Sequence, residues 1–396
     1  MNILMVTHHP LDPNAGAPGS ICSLGETYSD MGHSVSYFSL DDLPERLSFR
    51  AKILVFPEFA TRHIWQVTSR EPVDVVDVSS GDAWIWAKFL RPRLRRTPAL
   101  VTRSHGLEHT AHLQRRAEEE RGALRLSRKY PLYHGGFRLW EVTQSFRLAD
   151  VALFLNDTDR DYAVEHLGVP RDRAYLGSYG VSRSLVGQPL APAPSHREAR
   201  VGIAQLSAWD RMKGVHYSAA ALSRVLSRYP QTHLSLVGTR CPRAEVLANF
   251  PPEIHDRIRV YPSYDRAELP KLLEGHYIKV FPTLSEGFGK SLLEAMACGL
   301  VPITTATPGP LRLVRHEVEG LVVPTADTPA IEAALERLLT DRELLHHLRE
   351  RAHAAAQGYS WDRVARETIR IYESAIRRAV DGRRGSKSPA SDGDHS

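Results

Sequence analysis

Short apolar runs recur along the chain at Ile3 to Val6, Val35 to Phe38, Ile53 to Phe56, Val73 to Val78, Ala99 to Thr102 and Val151 to Leu155. The stretches between them are long enough for helices, and this alternation predicts a parallel, helix-covered sheet. A second series opens at Val201 to Leu206 and continues through Leu234 to Val237, Ile258 to Val260, Tyr277 to Phe281, Val301 to Thr304 and Leu321 to Val323. Between the two series lies Gln188-Pro189-Leu190-Ala191-Pro192-Ala193-Pro194-Ser195, proline-rich and without period, which reads as a linker. The spacing predicts helices over Ile331 to Leu339 and Leu344 to Ala356, and a last one from Trp361 with Val364, Ile369, Tyr372 and Ile376 on its buried face. After Asp381 the chain holds only polar and charged residues with glycine, proline and alanine, and is expected to be disordered. The organisation expected is therefore an α/β chain of two Rossmann-like domains. Residues 1–187 form the first, 188–198 the linker, 199–360 the second, 361–380 a C-terminal helix and 381–396 the tail.

The pattern is most informative at Ser285-Glu286-Gly287-Phe288-Gly289-Lys290-Ser291-Leu292-Leu293-Glu294, which follows the run ending at Phe281 and leads into a helix stopped by Gly299. Gly287 and Gly289 allow close backbone approach, and the first N–H groups of the helix lack intrahelical partners, so an anion is favoured there. Glu286 and Glu294 bracket the turn, which suits a diphosphate carrying hydroxyls at both ends, as a nucleotide sugar does. A triphosphate loop, suggested by Gly289-Lys290-Ser291, needs glycine five residues before Gly289, where Leu284 stands.

Glu286 to Gly289, Leu293 to Gly299 and Val301-Pro302-Ile303 together resemble the Glu-x7-Glu retaining glycosyltransferases of family 4, whose fold is called GT-B. The resemblance implies a cleft between the two domains with the donor held by the second, and a last helix that crosses back onto the first. It implies a hexose donor of the nucleotide-diphosphate type, a hydroxyl acceptor (glycan, lipid or small molecule), no cofactor and no metal. By the same resemblance Glu286 binds sugar hydroxyls, Glu294 the ribose, and Gly287, Phe288 and Gly289 line the donor. Lys213-Gly214 matches a phosphate-gripping lysine. The family's arginine column holds Gln205, so Arg211, two residues before Lys213, is expected to swing into the anion site. Gly16 lies in the loop after the first strand, where the family has paired glycines. His105, at a strand end and followed by Gly106, is expected beside the donor sugar. Arg312 stands where the family tends to have glutamate and is given no role. A donor-binding protein without turnover and a GT-B-like sugar-nucleotide epimerase are the alternatives.

Composition narrows the setting. The chain has 396 residues, 42% hydrophobic and 24% charged, with net charge +5 and pI near 9.1. That balance suits an anionic substrate or a membrane surface, and no nucleic-acid-binding signature accompanies it. From Gln114 to Arg138 cations, glutamates and aromatics are interleaved: a solvated helix pair laced with ion pairs, or a basic, aromatic-bearing surface for an anionic acceptor or a membrane. Asp157-Thr158-Asp159 resembles a metal motif of other transferases, yet its place at a helix start is explained by capping. Three scattered cysteines, no apolar leader and no window of 18 uninterrupted apolar residues fit a cytoplasmic protein, with contact at the inner face of the membrane as an open alternative.

Overall fold

The computed structural model describes residues 1–94, 96–192 and 200–385. The first half holds β1 (Asn2–Val6), α1 (Ala17–Asp30), β2 (Ser34–Phe38), α2 (Phe49–Arg70), β3 (Val75–Ser79), β4 (Ala99–Arg103), α3 (Glu108–Glu120), α4 (Arg138–Leu148), β5 (Val151–Phe154), α5 (Asp157–His166) and β6 (Ala174–Leu176). The second half holds β7 (Val201–Leu206), α6 (Val215–Arg228), β8 (Thr232–Val237), α7 (Arg243–Leu247), β9 (Ile258–Tyr261), α8 (Leu269–Leu272), β10 (His276–Phe281), α9 (Lys290–Ala297), β11 (Val301–Thr305), β12 (Leu321–Val323), α10 (Thr328–Thr340), α11 (Arg342–Gln357) and α12 (Trp361–Gly385).

Strands such as Val75–Ser79 and Val201–Leu206 are buried along their whole length, which is why they read as continuous rather than alternating apolar runs. They form two parallel six-stranded sheets, ordered β2-β1-β3-β4-β5-β6 and β12-β11-β10-β7-β8-β9. In each, the chain reverses its direction of growth across one neighbouring pair, β1 with β3 and β7 with β10. Loops leaving the carboxyl ends of such a pair run to opposite faces of the sheet and open a crevice there. The segments after β1, β7 and β10 carry Gly16, Lys213 and Glu286, so the topology alone gathers them.

Three local expectations change. Ile53 to Phe56 is not a strand but lies inside α2, because Ser48 caps the helix by accepting from Ala51 N, and Phe56, Ala60 and Ile64 recur every four residues on the buried face. The solvated helix pair expected over Gln114 to Arg138 is the end of α3, a connecting stretch and the start of α4. Within it Arg121 reaches Glu118 at 2.7 Å, and Glu118 is fully buried rather than solvated. The C-terminal helix continues to Gly385, past the expected start of the tail at Asp381. Residues 193–199 of the linker and 386–396 of the tail lie outside the described residues. The described part of the linker is docked: Arg349 Nη2 donates to Ala191 O at 3.1 Å.

The two halves share one core. Leu292, Leu293 and Met296 of α9 pack in the same apolar cluster as Ile3, Tyr28, Tyr179 and Trp361. Arg312, from the second half, donates to Leu155 O at 2.7 Å and Gly177 O at 2.9 Å in the first. Helix α12 lies against α1, and its Tyr372 hydroxyl reaches the first sheet, donating to Asp77 of β3. Asp77 is also held by Arg103 Nη2 at 2.7 Å, and the three groups are buried together with Tyr28. Tyr372→Phe leaves that carboxylate short of one donor, and is expected to lower stability by about 1–3 kcal/mol in a denaturant titration. An unchanged midpoint would show that the hydroxyl contributes nothing there.

Candidate functional site

The turn between β10 and α9 is shaped by its glycines. Gly289 takes φ +96° and opens the helix without a side-chain cap. Gly287 lies so close to the first half that an added Cβ would sit 2.7 Å from Gly106 Cα and 2.7 Å from His105 O. Asn156 Nδ2 donates to Gly287 O at 2.9 Å and fixes the turn from the opposite side. Helix α1, begun at Gly16, and α6, begun at Gly214, also lack side-chain caps, whereas Ser48, Asn156, Asp327 and Asp341 cap α2, α5, α10 and α11. Uncapped N–H groups therefore occur where the three loops converge.

They converge on a cleft of about 760 Å³, lined by residues after β1 (among them His9 and Gly16) and by Lys213, Arg266, Glu286, Lys290, Ser291 and Glu294. Lys213 Nζ lies 2.8 Å from Glu286 Oε2, and both side chains keep partial access to solvent. Glu294 is fully buried. Arg266 Nε is 2.9 Å from its Oε1, close enough to pair by charge but off-line for a hydrogen bond, so neither carboxylate oxygen has a hydrogen-bond donor among the described residues. Lys290 Nζ is likewise buried and without an acceptor. Burial pushes the Lys290 ammonium down to about 7, against the pull of Glu294 and with a further push from Arg266. Buried polar groups are ordinarily satisfied, and two on one cleft wall that are not indicate a ligand that supplies donors and an anion.

Behind His9, which lines the cleft from the first half, His8 Nδ1 lies 2.8 Å from Asp82 Oδ2, and Arg138 Nη2 donates to Asp82 Oδ1 at 3.2 Å. Burial raises the Asp82 carboxyl, but His8 and Arg138 outweigh it and hold it below the usual range. His9 packs on His8 with ring centroids 4.2 Å apart, and burial, then His8, bring its pKa down to about 3, so a neutral imidazole faces the cleft.

Of the residues expected from sequence, Gly16, Lys213, Glu286 and Glu294 come together in the cleft and the Gly287 to Gly289 backbone borders it. Phe288 does not line it: its ring is buried against Tyr179 at 5.3 Å and serves as an anchor for the turn. Arg211 is directed elsewhere; its Nη1 donates to Ala123 O at 2.8 Å, so this guanidinium ties the halves together at the cleft's edge. Gln205 turns into the fold and accepts from Ser218 Oγ at 2.8 Å. His105 presents its backbone to Gly287, while its ring is held by Tyr179 Oη at 2.5 Å and Ser79 Oγ at 3.2 Å and is kept neutral by burial, His9 and Arg103. The side chain that caps α5 is Asn156 rather than either aspartate of the motif, and Asp159 accepts from Leu107 N at 3.1 Å and Thr110 Oγ1 at 2.6 Å. Arg266, His9 and the His8–Asp82 pair carried no local signal. Lys290 stood in the discarded triphosphate motif.

Residues 193–355 match the family model described as Glycosyl transferases group 1. Over nearly its whole length the structure superposes on sucrose-phosphate synthase from Thermosynechococcus elongatus, with TM-score 0.77 and 18% identity, covering 96% of this chain and 100% of that one. It also superposes on Anabaena HepE, solved in complex with UDP-glucose, with TM-score 0.66 and 15% identity, covering 94% and 99%. The fold is GT-B. Curated relatives of this GT-B chain include the D-inositol 3-phosphate glycosyltransferase of Salinispora tropica, 34% identical over 123 residues, 31% of this chain and 26% of that protein. That of Corynebacterium jeikeium is 28% identical over 224 residues, 53% and 52% respectively. The chain thus spans between a quarter and about half the length of the curated relatives it matches. Gly287→Ala puts a methyl group into backbone across the GT-B interface, and is expected to cost about 1–3 kcal/mol by overpacking. Gly16→Ala, where a Cβ meets nothing within 4 Å, is expected to change stability by less than about 0.5 kcal/mol. Equal effects in the two variants would remove the close approach as the reason for glycine at 287.

Proposed function

We propose that the protein is a retaining, metal-independent glycosyltransferase that moves a hexose from a nucleotide-diphosphate sugar to an acceptor hydroxyl. One observation carries this reading: Glu294 and Lys290 lie buried and without hydrogen bonds on a cleft wall where uncapped helix N-termini meet. A diphosphate against the start of α9, with its ribose hydroxyls on Glu294 and its sugar hydroxyls on Glu286, would satisfy all of them. The group 1 match over the second half and the likeness to a fold solved with UDP-glucose support the same donor class.

In this mechanism the bond between the anomeric carbon and the diphosphate breaks as the acceptor oxygen arrives on the same face. The acceptor proton passes to the leaving phosphate oxygen. Lys213 and the amides of the Gly287 to Gly289 turn stabilise charge on the departing group, which is preorganised electrostatic catalysis. The His105 backbone closes the site beside Gly287, and Arg211 acts by holding the α6 loop to the first half.

The acceptor belongs to the first-half wall around His8, His9 and Asp82. A peripheral contact with anionic membrane is favoured by exposed Leu132, Phe137 and Trp140, with Lys88 Nζ 5.8 Å from the Trp140 ring centroid. Among the described residues no helix is long and apolar enough to cross a membrane. The free cysteines are compatible with a cytoplasmic setting.

A thermal-shift screen against uridine, guanosine and adenosine diphosphates and their sugars is expected to give stabilisation by one base series, and release of that nucleotide only with an acceptor present. Interconversion of donors without acceptor would instead mark an epimerase. Loss of one charged contact, worth roughly 1.5–3 kcal/mol, makes Lys213→Ala about 10- to 150-fold slower in kcat/KM. Glu294→Ala is expected chiefly to raise the donor KM. Full activity of Lys213→Ala would take that residue out of the mechanism.

A further inference from the structure

We propose that Lys290, with Lys279 behind it acting through Ser291, supplies positive charge for the donor diphosphate at the N-terminus of α9, and that the pair takes up protons from the medium as the donor binds. The inference rests on the nucleotide-sugar reading above and assigns its anion site.

Lys290 is the first residue of α9 and lines the cleft directly. Its Nζ is buried with no acceptor among the described residues, and the Trp361 ring centroid lies 5.5 Å away. The charged and titratable groups that face it are Glu294 on its own helix, Arg266 from the segment before α8 and Cys22 of α1. An ammonium so placed has lost water and gained no hydrogen bond, a costly arrangement unless a ligand completes it.

Lys279 approaches the same helix start from beneath. It interrupts the apolar run of β10, is fully buried, and sets its Nζ 3.3 Å from Leu206 O and 3.3 Å from Ser291 Oγ. Ser291 lines the cleft as the second residue of α9, and its hydroxyl donates to Leu206 O at 3.0 Å. Lys279 therefore acts through Ser291 and is a positioning residue, whereas Lys290 is open to direct contact. Glu294, Glu286 and Lys213 are the charged groups that face Lys279. Burial brings Lys279, like Lys290, down to about 7. A diphosphate beside both favours their charged forms. Gln205 and Arg211, turned away as described, add no charge here, so the two lysines act beside Lys213.

The two lysines also make a stability signature. Their folded-state values lie below that of an unfolded lysine, so the unfolded chain binds more protons between about pH 7 and 10.5, and stability rises with pH across that window. Replacement by methionine removes that rise and leaves the fold at least as stable at pH 7, which separates a binding role from a structural one.

Titration calorimetry of UDP-glucose, GDP-mannose and ADP-glucose at pH 8, in Hepes and in Tris, reads the proton count directly, since these diesters do not themselves titrate near neutrality. With two groups near 7 in the free protein, an uptake of more than about one proton per donor is expected. Lys290→Met and Lys279→Met should each remove part of it, the double variant all of it, and Lys290→Met should weaken donor binding about 10- to 150-fold. Binding without proton uptake, or uptake unchanged in the double variant, overturns the inference alone. No binding of any nucleotide sugar by the unaltered protein overturns the transferase reading and this inference with it.

Discussion

Helices that begin on glycine without a side-chain cap set the character of the molecule. Ser48, Asn156, Asp327 and Asp341 close the first turns of α2, α5, α10 and α11, whereas α3, α4, α7 and α8 have no side-chain cap but start on residues other than glycine. At Gly16, Gly214 and Gly289 the donors stay open, and the order of strands in each sheet brings all three to one crevice. The open donors at this crevice are thus a property of the backbone, and side chains such as Lys213 and Glu286 line the same crevice.

Other glycines make the two halves one object. Gly287 meets Gly106 with no room for a Cβ at position 287, and Asn156 and Arg312 bond across to carbonyls on either side. Arg266 adds a clasp, donating to Pro13 O at 2.6 Å and Ala15 O at 3.0 Å while standing beside Glu294. Residues that hold the halves together are therefore interleaved with those that line the cleft.

Sequence pattern disclosed much of this because the information was local. Buried parallel strands leave continuous apolar runs, and the Glu286 to Glu294 segment carries turn, helix start and both carboxylates within one stretch. Ile53 to Phe56 misled because a short apolar run has no period of its own; the decision came from Ser48 and from burial four residues apart. Arg266, His9 and the pairing of His8 with Asp82 were invisible for a different reason. Their partners lie tens to hundreds of positions away, and only tertiary folding gives them meaning. Arg211 shows the converse: nearness to Lys213 along the chain did not decide its direction, since Ala123 O offered an acceptor across the interface.

Helix α12 seats the Tyr372 hydroxyl on Asp77 and beside Arg103, two charged groups buried in the first sheet. A ribosome that has released only the first two hundred residues has therefore not yet delivered the piece that completes that sheet's interior. The carboxylate of Asp77 acquires this donor only from a residue 295 positions downstream, so the interior of the first sheet is completed by the far end of the second half.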